Sequence, residues 1–405
     1  MLRPFADPGV GYVSAPSICD RNAAESWSAR GRLHAEANFH GSLQAGYSGA
    51  FAPMCIGSHY AVRTAALKEI GGLGPELAED HSTTLMMNAY GWRGVHALDA
   101  IAHGDGPRTF ADLVTQEFQW SRSVVMILLQ YSPNLIPRLP MRLKFQFLFS
   151  QFWYPLFSLT GAMLFAMPGV ALLRGENFVA VTYPDFLTHF LPLSIVLIVF
   201  SYRWRATGTF RPVDGKLLSL ESMFYILARW PWGLVGSAAA ARDWLSGTVA
   251  DFRVTPKGAS EVDPLPFRVC APYLLIALAS ILPALLVDDA EATRGFYLFA
   301  IANSIFYGAL IIFVFAMHAR ENKVRVTSRI YRPALATTFA ALVLLPGFAT
   351  VEHGKEGLEG VAWGTRSFRL FEERYSAAGA GLGRAGLRRI VFSPSWRSET
   401  QDTTY

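Results

Sequence analysis

The sequence predicts a soluble α/β domain followed by a multi-span α-helical membrane domain, on three observations. Short β-like runs and helical patterns, punctuated by Gly and Pro, fill residues 1–125, while apolar runs long enough to cross a bilayer recur after Lys144. The composition lies between the two classes. Of the 405 residues, 52% are hydrophobic and only 17% charged, too apolar for an average soluble protein and too mixed for a pure membrane bundle. Finally, the basic residues crowd beside the apolar runs, as they do in cytoplasmic loops.

In chain order, Val10 to Ala15 reads as a short strand ended by Pro16, and Asn22 to Phe39 carries apolar and aromatic residues at helical spacing. Ser48 to Pro53 is turn chemistry ahead of a second short strand, Met54 to Gly57. Thr64 to Ile70 reads as a helix stopped by Gly71 and Gly72, and Glu79 to Tyr90 as a helix ended at Gly91. Val95 to Ala102 reads as a strand.

Five crossings are predicted against the roughly 20 apolar residues that a hydrocarbon core requires. They are Gln146 to Leu173, Phe186 to Tyr202, Val269 to Val287, Phe296 to Met317 and Ala334 to Thr350. Residues 217–241 contain Glu221, Arg229, Trp230, Pro231 and Trp232, which suit a helix lying in the interface better than one crossing the core. Arg203, Arg205, Arg211 and Lys216 follow the second crossing, and Arg320, Lys323, Arg325, Arg329 and Arg332 follow the fourth. Both loops therefore read as cytoplasmic, with the N-terminal domain on the same side of an inner (plasma) membrane. Counting 217–241 as a crossing would push the second basic loop outside. The expected division is 1–125, then 126–350 with a cytoplasmic loop at 242–266, then a Gly- and Arg-rich tail, 351–405, without periodicity and expected to be poorly ordered.

Several function classes are excluded. The net charge of +5 is modest, and no Lys/Arg run with interleaved aromatics supports nucleic-acid binding. Cys19, Cys55 and Cys270 have neither paired nor metal-ligand spacing, so no disulfide framework is expected. Residues 1–8 lack the apolar region of a cleaved signal peptide, so insertion is expected to rely on the internal spans.

Three short motifs carry chemistry. Glu79-Asp80 begins a helix directly after a Gly/Pro-rich turn. Helix N-terminal N–H groups would hold a carboxylate there ionised and oriented, ready to take the proton of an attacking hydroxyl. An acidic pair that simply caps a helix is the plainer reading. Gln116, Gln119 and Trp120 stand at i, i+3 and i+4 on one helix face, a ring platform with polar neighbours suited to a sugar. Trp120 would serve equally as an interfacial anchor ahead of the first crossing. Residues 252–258 lie in the cytoplasmic loop, with Lys257 a point charge suited to phosphate and Thr255 a hydroxyl donor. In isolation this is only a basic juxtamembrane loop.

Together and in this order, the motifs resemble those of bacterial cellulose synthase and related processive family 2 glycosyltransferases. Ala78-Glu79-Asp80 stands where that family's acidic T-E-D-type motif supplies the acceptor base, and Gln116 to Trp120 where a Q-x-x-R-W motif holds the acceptor sugar. Phe252 to Gly258 looks like the F-x-V-T-x-K-G loop that gates over the nucleotide. Cys55, Gly57 and Ser58, followed by Ala61, Val62, Arg63 and Leu67, look like the C-G-[ST]-N-A-V-x-R-R segment with one residue inserted.

The resemblance covers roughly residues 1–320. It implies a GT-A-type α/β domain, a nucleotide-sugar donor, a glycan or lipid acceptor, a product path through the bilayer-spanning helices, and Mg²⁺ or Mn²⁺ in the complete enzyme. It assigns catalysis to Asp80 and Glu79, and acceptor binding to Cys55, Gly57, Ser58, Gln116, Gln119 and Trp120. Phe252, Val254, Thr255 and Lys257 would form the nucleotide gate.

Two departures qualify what is implied. Gln119 occupies the place of the motif's arginine, and Arg122, three residues on, is the candidate substitute. The sequence also contains no D-x-D metal motif, and Met1 falls just past where one would stand. The expectation is a partial domain carrying the acceptor side: a fragment, a mis-started product, or half of a split enzyme whose donor side comes from a separate chain. Rival readings are a catalytically inactive scaffold subunit of a polysaccharide synthase, and a small-molecule transporter, which leaves the soluble motifs unexplained.

Overall fold

The computed structural model describes residues 1–74, 76–179, 181–247, 262, 264–288, 290–323, 332–362, 368–375 and 387–394. The α/β domain is built on β1 (Val10–Ser14), whose five residues are all buried. β2 (Ser17–Ile18) follows after Pro16, and then α1 (Trp27–Ala35) starts where Ser26 Oγ accepts the Ala29 N–H at 3.2 Å. The helical pattern of 22–39 thus resolves into a capped helix preceded by turns. A short α2 (Gln44–Tyr47) leads to β3 (Tyr60–Val62), α3 (Thr64–Glu69), α4 (Glu79–Ala89), β4 (Arg93–His96) and β5 (Ala102–His103). Gly71 and Gly72 end α3 at φ of +86° and +118°, a conformation that glycine adopts without steric cost.

The sheet order is β3-β1-β4, with β3 antiparallel and β4 parallel to β1, while β2 and β5 form a separate parallel pair. Tyr12 of β1 is fully buried, and its ring lies where a Cβ at Gly94 would stand, so that strand position has to be glycine. The expected strand Met54–Gly57 is irregular instead. Its N–H groups go to side chains: Met54 to Gln44 Oε1 at 2.8 Å, Cys55 to Thr84 Oγ1 at 2.9 Å and Gly57 to Asp80 Oδ2 at 2.9 Å. Backbone donors satisfied in this way need no ladder.

α5 (Phe110–Gln130) begins at a reciprocal cap between Thr109 and Asp112 and passes through α6 (Ser132–Leu135) into the helical region. There α7 (Met141–Arg174), α8 (Tyr183–Ala206), α9 (Leu220–Ser246), α10 (Ala271–Leu286), α11 (Gly295–Asn322) and α12 (Arg332–Ala362) follow. Four of them, α7, α8, α11 and α12, are long and apolar enough to cross a membrane. The crossing expected at Val269–Val287 is a helix of 16 residues, about 24 Å at 1.5 Å per residue, short of a hydrocarbon core of about 30 Å. Its hydropathy is that of a span, but Val287 already has an extended backbone.

α9 carries the residues that argued against a crossing, and Arg229 and Asp243 are turned into protein contacts with α5. One hydrophobic core joins the two parts: Trp27 of α1, Phe110 of α5, Tyr225 of α9, Tyr273 of α10 and Tyr307 of α11 all belong to it. The chain beyond residue 350, expected to lack order, continues α12 to Ala362, and β6 (Phe368–Tyr375) pairs antiparallel with β7 (Leu387–Pro394). Glycine there serves packing. A Cβ at Gly360 would stand 2.4 Å from the Gly295 nitrogen, and one at Gly357 2.9 Å from that of Leu298, so α12 lies directly against the start of α11.

Candidate active site

α4 begins at Glu79, immediately after Ala78, whose N–H donates to Ser123 Oγ of α5 at 2.8 Å. Asp80 is held on both oxygens. The His81 N–H donates to Oδ1 at 2.8 Å, and the Gly57 N–H to Oδ2 at 2.9 Å. A Cβ at position 57 would stand 3.3 Å from Asp80 Oδ2 and 3.4 Å from Glu79 Oε1, so the acidic pair and the 55–58 segment meet face to face.

Burial raises the Asp80 pKa and outweighs the N–H groups of His81, Gly57 and its own backbone, which act to lower it. Glu79 is raised too, by burial first and then by the neighbouring Asp80 charge. The N–H groups orient the carboxylate, as expected of a helix start, while desolvation acts the other way on its basicity and raises it.

The other residues of the 55–58 segment have different surroundings. Cys55 is buried in a core cluster with Tyr12, Ala66, Ile70 and Met87, and burial pushes its thiol far up. It packs the segment and is turned away from solvent. Gly57 and Ser58 are exposed, and Ser58 Oγ lies 2.5 Å from Ser17 Oγ.

Gln116, Gln119 and Trp120 are half-buried on α5. Gln116, Trp120 and Ser123 recur at i, i+4 and i+7, so the aromatic platform shares a helix face with the residue that ties down the start of α4. From Gln116 to Ser123 the axial distance is about 10 Å at 1.5 Å per residue. The platform already has a companion that the sequence reading missed. Arg32 of α1 places its guanidinium 4.5 Å over the Trp120 ring and donates from Nη1 to Gln116 Oε1 at 3.2 Å. Glu36 accepts from Arg32 Nε at 2.9 Å and from the Tyr225 hydroxyl at 3.1 Å. The Glu36 carboxyl is held well below its usual range, despite burial, by Arg32 and then by His40. The only local signal for Arg32 is its i, i+4 spacing to Glu36.

Arg122 does not take up the role expected of it. It turns to α9, donating from Nε to the buried Asp243 at 2.7 Å. Between the platform residues, Glu117 is buried and accepts from Arg229 Nε at 2.8 Å, and its Oε1, 3.0 Å from the Tyr225 hydroxyl, shares that single proton with Glu36. The gate residues Phe252, Val254, Thr255 and Lys257 lie outside the described residues.

Among the described residues, no group of three or more His, Cys, Asp or Glu is placed to hold a metal ion.

The protein thus presents an oriented carboxylate at the start of α4 and an aromatic and amide face on α5, in an α/β domain whose core runs into membrane-type helices. Residues 1–206, just over half of the chain, match the glycosyl transferase family group 2, and the chain belongs to that family. It is similar to cellulose synthase 2 of Novacetimonas hansenii, with 26% identity over 179 residues, 44% of this chain and 11% of that protein. It is also similar to cellulose synthase-like protein D5 of Oryza sativa subsp. japonica, with 25% identity over 229 residues, 54% of this chain and 22% of that protein. The chain therefore aligns with less than a quarter of the length of either relative. It is a cellulose synthase-like family 2 glycosyltransferase sequence with an N-terminal transferase domain and a helical membrane region.

Proposed function

We propose that the chain supplies the acceptor and membrane side of an enzyme that moves a sugar from a nucleotide-sugar donor onto a growing polysaccharide or lipid-linked glycan. The reaction would run at the cytoplasmic face of the inner membrane, with a donor side supplied by further sequence or a separate chain. The observation that carries this reading is Asp80: its two oxygens are fixed by Gly57 and His81, and burial raises its basicity. In this reading Asp80 takes the proton of the acceptor hydroxyl while the oxygen attacks the anomeric carbon. The bond from that carbon to the diphosphate breaks, and the electron pair leaves with the diphosphate. Glu79 adds negative charge beside the base. Gln116, Gln119 and Trp120 hold the acceptor ring, and Thr255 and Lys257 close over the diphosphate.

Sugar transfer from labelled nucleotide-sugars tests this, using the chain in lipid vesicles both alone and with the product of any adjacent reading frame. Asp80→Asn is expected to lower the rate by about 10²- to 10⁴-fold, the usual contribution of a positioned base. Full activity of that variant would refute the base, and transfer by the unaccompanied chain would refute the separate donor side.

A second reading, an inactive scaffold subunit, is favoured by one observation: the Arg32 guanidinium already lies over the ring of Trp120. Absence of transfer in every combination, with assembly retained, would support it.

A further inference from the structure

α7 is an apolar helix, yet two of its glutamines are buried, Gln146 at 6% and Gln151 at 0% exposure. Buried amides have to be hydrogen-bonded, and each of these is bonded to the α/β domain. Gln146 accepts the Ala52 N–H at 2.9 Å and donates to the Ala52 carbonyl at 2.7 Å, clamping both backbone groups of the residue that opens the run to Gly57. Gln151 reaches the other flank of the acidic pair. Ser132 Oγ donates to Gln151 Oε1 at 2.8 Å, which turns the amide NH₂ toward His81 Nε2 at 3.2 Å.

His81 must then accept at Nε2, as the neutral tautomer with its proton on Nδ1. Its ring also meets Phe147 of α7 edge-on at 5.8 Å. The same residue's backbone N–H donates to Asp80 Oδ1, while the run beginning at Ala52 delivers the Gly57 N–H to Oδ2.

We infer that Gln151 and Gln146 of the first membrane helix are positioning residues for the Asp80 carboxylate, acting on its two oxygens through His81 and through the 52–57 run. The role rests on Asp80 being the base of the proposed reaction, but the coupling itself is read without sugar transfer. Neither glutamine touches the carboxylate. Each fixes a backbone segment whose N–H does. The design ties the base to a membrane helix, so that a shift of α7 relative to α4 would reach Asp80 directly.

Site-resolved amide hydrogen exchange on the full chain in lipid nanodiscs tests the inference at two protons, the Gly57 and His81 N–H. Gln151→Leu, which keeps the helix but removes the amide, is expected to speed exchange at the His81 N–H by tenfold or more, and Gln146→Leu to do so at the Gly57 N–H, with α10 and α11 unchanged in both. His81→Phe is expected to match Gln151→Leu at the residue 81 N–H, and the double variant of these two to be no faster than either single one. His81→Gln, whose amide oxygen can still accept from Gln151, is expected to restore slow exchange. Ser132→Ala removes only the hydroxyl that orients the amide and is expected to give a smaller increase, about threefold. It carries the test if Gln151→Leu does not fold. Unchanged exchange at Gly57 and His81, a uniform rise throughout the chain, or no restoration by His81→Gln would each overturn the inference. Absence of sugar transfer would count against the proposed function alone.

Discussion

The platform helix α5 is held against α9 by a buried ion pair whose removal has a calculable cost. Glu117 is 1% exposed at its side chain and Arg229 15%, with Arg229 Nε 2.8 Å from Glu117 Oε2. Arg229 also lies 5.1 Å over the Trp153 ring and 4.9 Å over that of Tyr225. Arg229→Met keeps most of the aliphatic stem but leaves Glu117 in the core with the Tyr225 hydroxyl as a neutral donor. Stranding one member of a buried pair typically costs about 3–5 kcal/mol. Replacing both by apolar residues of similar volume is often neutral, because the desolvation of both charges is avoided. Glu117→Leu/Arg229→Met should therefore recover most of the stability that Arg229→Met loses. The assay is the thermal unfolding midpoint of the purified chain in one detergent at one pH, followed for wild type, both single variants and the double. A double variant as unstable as the single ones would show that shape, or the Trp153 and Tyr225 ring contacts, matters more than the charge pairing. A neutral Arg229→Met would show that Glu117 is better solvated than its burial indicates.

Two further outcomes follow from the same geometry. Trp120→Ala removes the ring face of the platform, and losing about 1.4 kcal/mol of stacking corresponds to a tenfold weaker hold. The acceptor KM should rise by about that factor while the donor KM stays unchanged, and equal rises in both would refute a platform specific to the acceptor. The second outcome concerns pH. Burial lowers both His81 and His96 to about 4 from an ordinary 6.5. Between those values the unfolded chain binds protons that the folded chain does not, so stability is lost as pH falls from about 6.5 toward 4, by up to about 3 kcal/mol for each histidine. Unfolding midpoints should change little from pH 7.5 to about 6.5 and fall from there to 4.5, less so in His81→Gln. A flat profile would mean that the two rings do not stay neutral.

How much of this was legible in the sequence depends on how local each signal is. The start of α4 at Glu79 and the stop of α3 at Gly71 and Gly72 are written in adjacent residues, and both stand where the pattern puts them. The acidic pair and its glycine were legible as motifs, but their meeting was not, because Gly57 and Asp80 are 23 residues apart. The irregular 52–57 run defeated a periodicity argument because its donors go to the side chains of Gln44, Thr84, Asp80 and Gln146, as far as 94 residues away. Arg122 looked like the substitute cation because it is near Trp120 in sequence, whereas Arg32 reaches the ring from another helix. The last helix was legible as the span Ala334 to Thr350, but its continuation to Ala362 was missed for a compositional reason: closely spaced glycines read as disorder unless a second helix is known to lie against them.

These contacts give α5 a role that neither half of the chain has alone. Its Ser123 secures the start of α4, and thereby the acidic pair, while its Gln116 and Trp120 form the platform with Arg32. The flanks are braced separately, the acidic pair by α7 through Gln146 and Gln151, and the platform by α9 through the Arg229–Glu117 pair and the Arg122–Asp243 pair. A helix is stiff along its axis, so α5 fixes the rise of about 10 Å between Gln116 and Ser123, the residue that ties down the start of α4. Under the proposed function this matters, because an acceptor hydroxyl must return to the same distance from Asp80 after every transfer. Movement of α7 would reach the acidic pair through Gln146 and Gln151, and movement of α9 the platform through Arg229 and Asp243.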